Sequence, residues 1–275
     1  MTSSLKNNPS PDESRGSIRK YDLTAANYFS LQNQKRYMGS SQFKAFRKCE
    51  AAAMAQLESP DESPSKDMLV GSYVDAYFTE DVKQFQELHP TIFKQDGTLK
   101  ADFKRADHVI SRICKDEMME KYLSGDHQVI MSGEIAKVPF KIKIDSYHPD
   151  RAIVDLKIMK DLETIWSDDA KKRIPFVEFW GYDLQGAIYQ EIVRQNTGRQ
   201  LPFILACATK QTSPRIILLE IPQNQLNEQL EIVREFSPRY DRLKQGDELP
   251  EYCGKCDHCA AVLPVDGVVS YQELS

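Results

Sequence analysis

No stretch of the 275 residues approaches the roughly 18 consecutive apolar residues that a helix needs to cross a bilayer, so a membrane-spanning protein is excluded. Residues 1–17 are polar, with Pro, Ser and Asn, and have no apolar core of the kind that directs secretion; the expectation is a cytoplasmic protein. Positive charge is in deficit. Lys and Arg number 36 against 41 Asp and Glu, a net charge of -5, which excludes a histone-like binder whose whole surface is basic. There is no glycine-rich phosphate loop, so ATP-driven chemistry is not expected, and the five histidines are scattered and form no metal motif. What remains is an ordinary globular mix, 41% hydrophobic and 28% charged.

Cysteine is present in a telling pattern. Cys253, Cys256 and Cys259 form a C-x2-C-x2-C run, and in a reducing compartment such spacing reads as metal or cluster ligation before disulfides. Thiolate ligation suits an iron–sulfur cluster or zinc, with His258 as an outside candidate for a zinc site. Cys114 and Cys207 sit among apolar residues and read as core.

Along the chain, residues 1–20 read as a disordered leader, and residues 21–275 as one domain whose last part, 246–275, is a cysteine-bearing tail. Ser40 and Ser41 offer N-caps for a helix carrying Phe43, Phe46 and Ala53. A loop follows over 58–66, a helix over 68–83, a turn at Asp96-Gly97, and an amphipathic helix over 100–123. The texture then changes to strands over 129–131, 138–144 and 152–158. Phe140, Ile142 and Ile144 alternate with Lys141, Lys143 and Asp145, and Val154, Leu156 and Ile158 with Asp155 and Lys157. Period two predicts one face packed inward and one carrying charge, with Tyr147-His148-Pro149-Asp150 as the hairpin turn. A helix over 176–196, strands over 202–209 and 215–221, and a helix over 224–245 complete a mixed α/β domain with a helical N-terminal part.

Asp145, Asp155 and Lys157 carry the chemistry. Asp155 and Lys157 leave the same face of one strand, roughly 7 Å apart at about 3.3 Å of rise per residue, and the hairpin returns Asp145 to them. Two carboxylates beside a backbone carbonyl suit a hard divalent cation, and a neighbouring lysine can orient water and offset charge on a phosphate. A solvated sheet face with a lateral Asp–Lys pair is the plainer alternative. Gln185 and Tyr189 share a helix face, where an amide and a phenol can hold a phosphate oxygen or a water.

Asp, then D-x-K ten residues on, then Q-x-x-x-Y on the following helix resembles the PD-(D/E)xK nuclease superfamily. Within its RecB-type branch the order is similar to the phage and prophage exonuclease VIII (RecE-like) group, with SSQFKAFRKCE, MLVGSYVDAYF, KIKIDSYHPDRAIVDLKIMKD and YDLQGAIYQEIV as the matching stretches. The resemblance implies a restriction-endonuclease-like core, a mixed central sheet flanked by helices. It implies Mg2+ (or Mn2+) held by Asp145, Asp155 and the Leu156 carbonyl, with Lys157, Gln185 and Tyr189 catalytic. Asp75 stands where this branch usually has a histidine near the metal, and Glu134 is a weaker carboxylate candidate upstream. Cys49 falls where some RecB-type nucleases have the first ligand of a [4Fe-4S] cluster completed by three C-terminal cysteines, though the last interval here is shorter than theirs. Lys143, Lys160, Lys171, Lys172 and Arg173 are candidate DNA contacts, as against a solvated loop beside Asp168 and Asp169. The implied activity is digestion of double-stranded DNA from an end in phage-type recombination, with a single-strand annealing protein as partner and a homo-oligomeric ring. The competing expectations are a DNA-binding or scaffold module with a decayed metal site, and an interaction protein in which only the cysteine tail matters.

Overall fold

A computed structural model describes residues 23–59, 64–265, 267–268, 270 and 272. The leader expected over 1–20 lies outside the described residues, as does the middle of the loop expected over 58–66. Helices α1 (Leu31–Arg36), α2 (Ser40–Lys48), α3 (Glu50–Glu58), α4 (Lys66–Phe78), α5 (Val82–Leu88), α6 (Ala101–Ile113) and α7 (Glu117–Leu123) precede the first strand. Strands β1 (Asp126–Ile135), β2 (Val138–His148) and β3 (Ala152–Met159) form a meander. A small hairpin of β4 (Ile165–Ser167) and β5 (Lys172–Ile174) leads into α8 (Phe176–Phe179) and α9 (Tyr182–Thr197). Strands β6 (Phe203–Thr209) and β7 (Ile216–Glu220), then α10 (Gln223–Gln245) and α11 (Asp257–Val262), complete the described chain.

The main sheet has the order β1-β2-β3-β6-β7. All neighbours are antiparallel except β3 and β6, which run parallel with Asp155 opposite Leu205 and Lys157 opposite Cys207. The connection from β3 to β6 therefore crosses over through α8 and α9, as a parallel pair requires. Strand β6 is buried along its whole length, in keeping with its apolar sequence and interior place.

Helices cover both faces of this sheet, so the expectation of one packed and one charge-bearing face is corrected, and the alternative of a solvated face is set aside. On one face Phe43 and Phe46 of α2, Leu184 and Ile188 of α9 and Val233 and Tyr240 of α10 pack on Phe140, Ile142, Ile144, Ile153 and Leu205. On the other, Val109 and Ile113 of α6 and Met119 and Leu123 of α7 pack on Val154, Ile204, Ala206 and Ala208, while α4 brings Val70, Tyr73 and Val74 against Leu156 and Ile158. Even Lys141 is 2% exposed, its ammonium on the Tyr28 carbonyl.

Four helices expected as continuous are broken, each by a local cause. The one expected over 68–83 stops at Phe78, and Glu80 takes left-handed backbone, φ 61°, before α5 begins. Gly39, not Ser40 or Ser41, is the N-cap of α2, and Cys49 adopts extended backbone between α2 and α3. There the N–H of Ala51 donates to the Glu251 carbonyl of the C-terminal tail at 3.1 Å, so a contact from far along the chain satisfies the new helix start. Asp116 caps α7 by accepting from the Met119 N–H at 3.1 Å, which separates α7 from α6. Gly181 takes left-handed backbone, φ 59°, between α8 and α9. The hairpin β4–β5 was not anticipated; strands of three residues are too short to show a period.

Close helix-on-sheet contact is concentrated at Gly186. A Cβ there would stand 2.6 Å from Phe203 Cδ1 and 3.0 Å from Leu226 Cδ2. Gly186→Ala is expected to lower unfolding free energy in urea by about 1–3 kcal/mol. Gly71→Ala in α4, where a Cβ meets nothing within 4 Å, is expected to be neutral or to raise stability by up to about 1 kcal/mol.

Candidate active site and thiol cluster

Strands β2 and β3 part at the two aspartates. Their pairing ends at Ser146 opposite Val154, one step before Asp145 and Asp155 would meet. On its other side β2 also loses a pair with β1 at Gln128 and Asp145, because Gln128 adopts left-handed backbone, φ 53°. The Asp145 side chain replaces the lost ladder bond: its Oδ2 accepts from the Leu156 N–H at 2.9 Å. Both aspartates are thereby held by the sheet itself.

Asp155 is 2% exposed. Its Oδ1 accepts from Gln185 Nε2 of α9 at 2.7 Å, and its Oδ2 pairs with the Lys157 ammonium but accepts no directed hydrogen bond. Burial pulls the Lys157 pKa down, yet the Asp155 and Asp145 carboxylates outweigh it and hold the ammonium above its usual range. Burial first, and then the Asp155 charge, push the Asp145 carboxyl up to about 8, against the pull of Lys157. Asp75 reaches the same group from α4. Its two oxygens accept from Gln128 Nε2 at 3.1 and 3.3 Å, and its pKa is raised by burial, with Lys143 opposing and Asp155 reinforcing.

The sequence-predicted residues Asp75, Asp145, Asp155, Lys157 and Gln185 thus come together, with Lys143 facing Asp75. Gln185 and Tyr189 are not turned to an outside phosphate or water as expected from their shared helix face. The Gln185 amide serves Asp155, and the Tyr189 hydroxyl donates to the Lys143 carbonyl at 3.0 Å. Glu134 lies exposed near the far end of β1 beside Gln195. Lys160, Lys171, Lys172 and Arg173 are exposed, the last three on the β4–β5 hairpin; Arg173 donates to Thr164 Oγ1 at 3.0 Å. Among the described residues no hydrogen bond or ion pair joins these four to the carboxylates.

Sequence reading missed two participants, Gln128 and Lys44. Gln128 holds Asp75, and its Oε1 is buried without a hydrogen bond; nothing in an ordinary strand pattern marks a residue that will turn left-handed. Lys44 of α2 donates to the Trp180 carbonyl at 3.1 Å and faces the Tyr182 ring at 5.6 Å, while Lys157 faces the same ring at 5.4 Å. Burial and the Lys157 charge lower Lys44 to about 8. Tyr182, which the sequence groups with Gln185 and Tyr189, thus lies between the two lysines; burial raises its hydroxyl to about 12. Gly181 admits Lys44, since a Cβ there would lie 2.9 Å from Lys44 Cδ.

The donor set fits a hard divalent cation. It is rich in carboxylate and amide oxygen; Gln128 Oε1 is buried without a hydrogen bond, and Asp155 Oδ2 meets only the Lys157 ammonium. A cleft of about 800 Å³ adjoins it, lined among others by Tyr77, Glu80, Glu117, Glu120, Lys121 and His127, and His127 Nδ1 lies 3.2 Å from the Asp145 carbonyl.

A second constellation lies apart from this one. Cys49, Cys253, Cys256 and Cys259 place their sulfurs within 4.8 Å of one another, with Cys49 and Cys259 buried. His258 is not among them; its ring stacks on Tyr252. Backbone N–H groups of Lys255 and Cys256 hold the Cys253 thiol low, at about 6. Cys207 lies in the core as expected, whereas Cys114 is only half-buried, at the end of α6.

Residues 39–262 match the family profile of a PDDEXK-like domain of unknown function (DUF3799). Among solved structures, the crystal structure of a "putative exonuclease" from Eubacterium rectale is similar at 44% identity and a TM-score of 0.86, over 92% of this chain and 98% of that one. No curated protein matches. Among the described residues no helix is long and apolar enough to cross a membrane.

The Asp145 carboxyl gives a pH signature. Its folded-state value of about 8 stands above the usual 3.8, so between these values the folded protein keeps a proton that the unfolded chain has lost, and stability falls as pH rises through that window. In metal-free buffer at pH 8, Asp145→Asn is expected to melt at a higher temperature than the wild type, with the difference vanishing below pH 4. An unchanged or lower melting temperature at pH 8 would contradict the assignment.

Proposed function

Because the chain belongs to the PDDEXK-like family, we propose that it is a metal-dependent deoxyribonuclease, an exonuclease that hydrolyses double-stranded DNA from an end. One observation carries the reading: a buried Asp155 shared by Lys157 and Gln185, beside an Asp145 fixed to the same strand. Buried ionisable groups that perturb one another in this way gather at functional sites. The exonuclease name of the Eubacterium rectale relative supports the finer assignment.

Asp145, Asp155 and the Leu156 carbonyl would hold Mg2+ or Mn2+, with Asp75 alongside. When bound, the ion supplies Lewis-acid charge at the phosphate. Lys157 remains protonated, so it orients the attacking water by donating to it and offsets charge gathering on the phosphate oxygens. Gln185 keeps Asp155 in place, and Tyr189 keeps β2 in place through the Lys143 carbonyl. Lys44 and Lys143 present positive charge to the backbone phosphates, and Lys160, Lys171, Lys172 and Arg173 extend that role along the duplex. The RecE-like resemblance extends the proposal to a cytoplasmic, homo-oligomeric enzyme of phage-type recombination working with a single-strand annealing protein.

The decayed-site alternative drew on Asp75 standing in place of histidine. Asp75 is held by Gln128 and interacts with Asp155 and Lys157, so an acid suited to Mg2+ takes that place.

Incubation of linear and covalently closed circular duplexes with Mg2+ tests the proposal. Linear DNA is expected to disappear and circles to survive, and Lys157→Ala, shown folded by circular dichroism, is expected to be slower by at least about 100-fold. Cleavage of circles would make the enzyme an endonuclease. Binding without cleavage by the wild type would leave the decayed module as the reading.

A further inference from the structure

We infer that Cys49, Cys253, Cys256 and Cys259 hold one mononuclear zinc ion, and that this ion clasps the C-terminal tail to the joint between α2 and α3. The four-iron cluster that the family resemblance implies does not fit the spacing of these sulfurs. A tetrahedral zinc with Zn–S bonds of about 2.3 Å sets its thiolates about 3.8 Å apart along each edge. Here Cys49 and Cys259 sulfurs stand 3.6 Å apart, those of Cys253 and Cys259 3.8 Å, and all four fall within 4.8 Å. In a cubane each thiolate takes a different iron corner, which spreads the four sulfurs to on the order of 6 Å.

The local chain geometry is compatible with a single ion, and the sulfur separations are what distinguish it from a cluster. Gly254 turns left-handed, φ 71°, and lets the Lys255 N–H point back at Cys253 Sγ at 3.5 Å. Cys256 is the N-cap of α11 and Cys259 lies one turn inside it, so two thiols three residues apart share one helix face. That short bite suits a single ion.

The tail is anchored independently of the sulfurs, so their meeting is built. Arg239 of α10 donates to Glu50 at 2.7 and 2.8 Å and to Glu248 at 2.7 Å. The Glu251 N–H donates to Glu50 at 2.9 Å, and the Glu251 carbonyl accepts from Ala51. These bonds bring the cysteine run to Cys49, 210 residues from Cys259 in sequence. An ion there closes a very long loop, which lowers the entropy of the unfolded chain. The inference does not depend on the nuclease reading.

The test is elemental analysis of the full chain purified anaerobically, with acid-labile sulfide and the visible spectrum. One zinc per chain, no labile sulfide and no colour are expected. A chelator should remove the zinc and lower the melting temperature, and added zinc should restore it. Exchange for Co2+ should give the intense visible bands of a tetrahedral tetrathiolate, lost in Cys256→Ser. Brown protein with iron and labile sulfide in equal number would overturn the inference, as would metal-free protein whose four thiols all react without chelator.

Discussion

Burying Asp155 beside Lys157 inside a sheet is unfavourable unless the remaining lone pairs and charges are answered, and much of the local architecture answers them. Gln185 takes one carboxylate oxygen of Asp155, which requires α9 to lie close on β3 and β6. That closeness is what Gly186 permits against Phe203. The second oxygen faces Lys157, whose ammonium is held between two carboxylates. Asp145 can be the second of these only because β2 and β3 stop pairing one step earlier and its side chain takes the Leu156 N–H. The helix break at Gly181 has the same origin, since it lets Lys44 cross to the Trp180 carbonyl beside the site.

The parts of this arrangement that follow a period were legible in the sequence. Alternation over 138–144 and 152–158 located β2 and β3, the Pro149-Asp150 turn joined them, and the D, D-x-K and Q-x-x-x-Y spacing named the residues that meet. The Gln185–Asp155 contact lies thirty residues apart, and helix-on-sheet packing is what spans it. What a period cannot show is departure from it. Gln128 interrupts β1 with left-handed backbone, and that single torsion frees Asp145 and brings Gln128 to Asp75. Lys44 carries no signal because it reaches the site from a helix more than a hundred residues away in sequence. Alternation also misread the environment: it predicts two unlike faces, but helices cover both, and on the strands Lys141 and Asp155 are buried with partners.

One element links the two constellations. Helix α2 follows Met38, whose N–H donates to the Pro139 carbonyl at 2.7 Å and whose carbonyl accepts from the Lys141 N–H at 3.0 Å, so its start is stitched to β2. Its middle carries Lys44 to the active-site group, and at its end Cys49 leads into the thiol cluster. Phe46 stacks on Tyr240 of α10 at 5.0 Å between ring centres, and α10 holds Arg239, which anchors the tail. The helix that presents Lys44 is therefore fixed at both ends, once by backbone bonds to the sheet and once by the thiol clasp. A loosened clasp would act on the active site through the freedom of α2 rather than through any group that touches the carboxylates.

Charge distribution then decides from which side a polyanion can come. The chain is acidic overall, with a net charge of -5, and the cleft beside the carboxylates is lined by Glu80, Glu117 and Glu120 against Lys121, which repels phosphate. On the α2 side the balance reverses. Lys44 and Lys143 are both half-buried, and the Lys143 ammonium lies over the ring of exposed Phe29 at 5.2 Å. Cations beside low-dielectric aromatic surface act on a phosphate more strongly than the same charges in open solvent. An acidic total is thus compatible with the proposed substrate, because Lys44, Lys143 and Lys157 offer positive charge beside the carboxylates, apart from the glutamates that line the cleft.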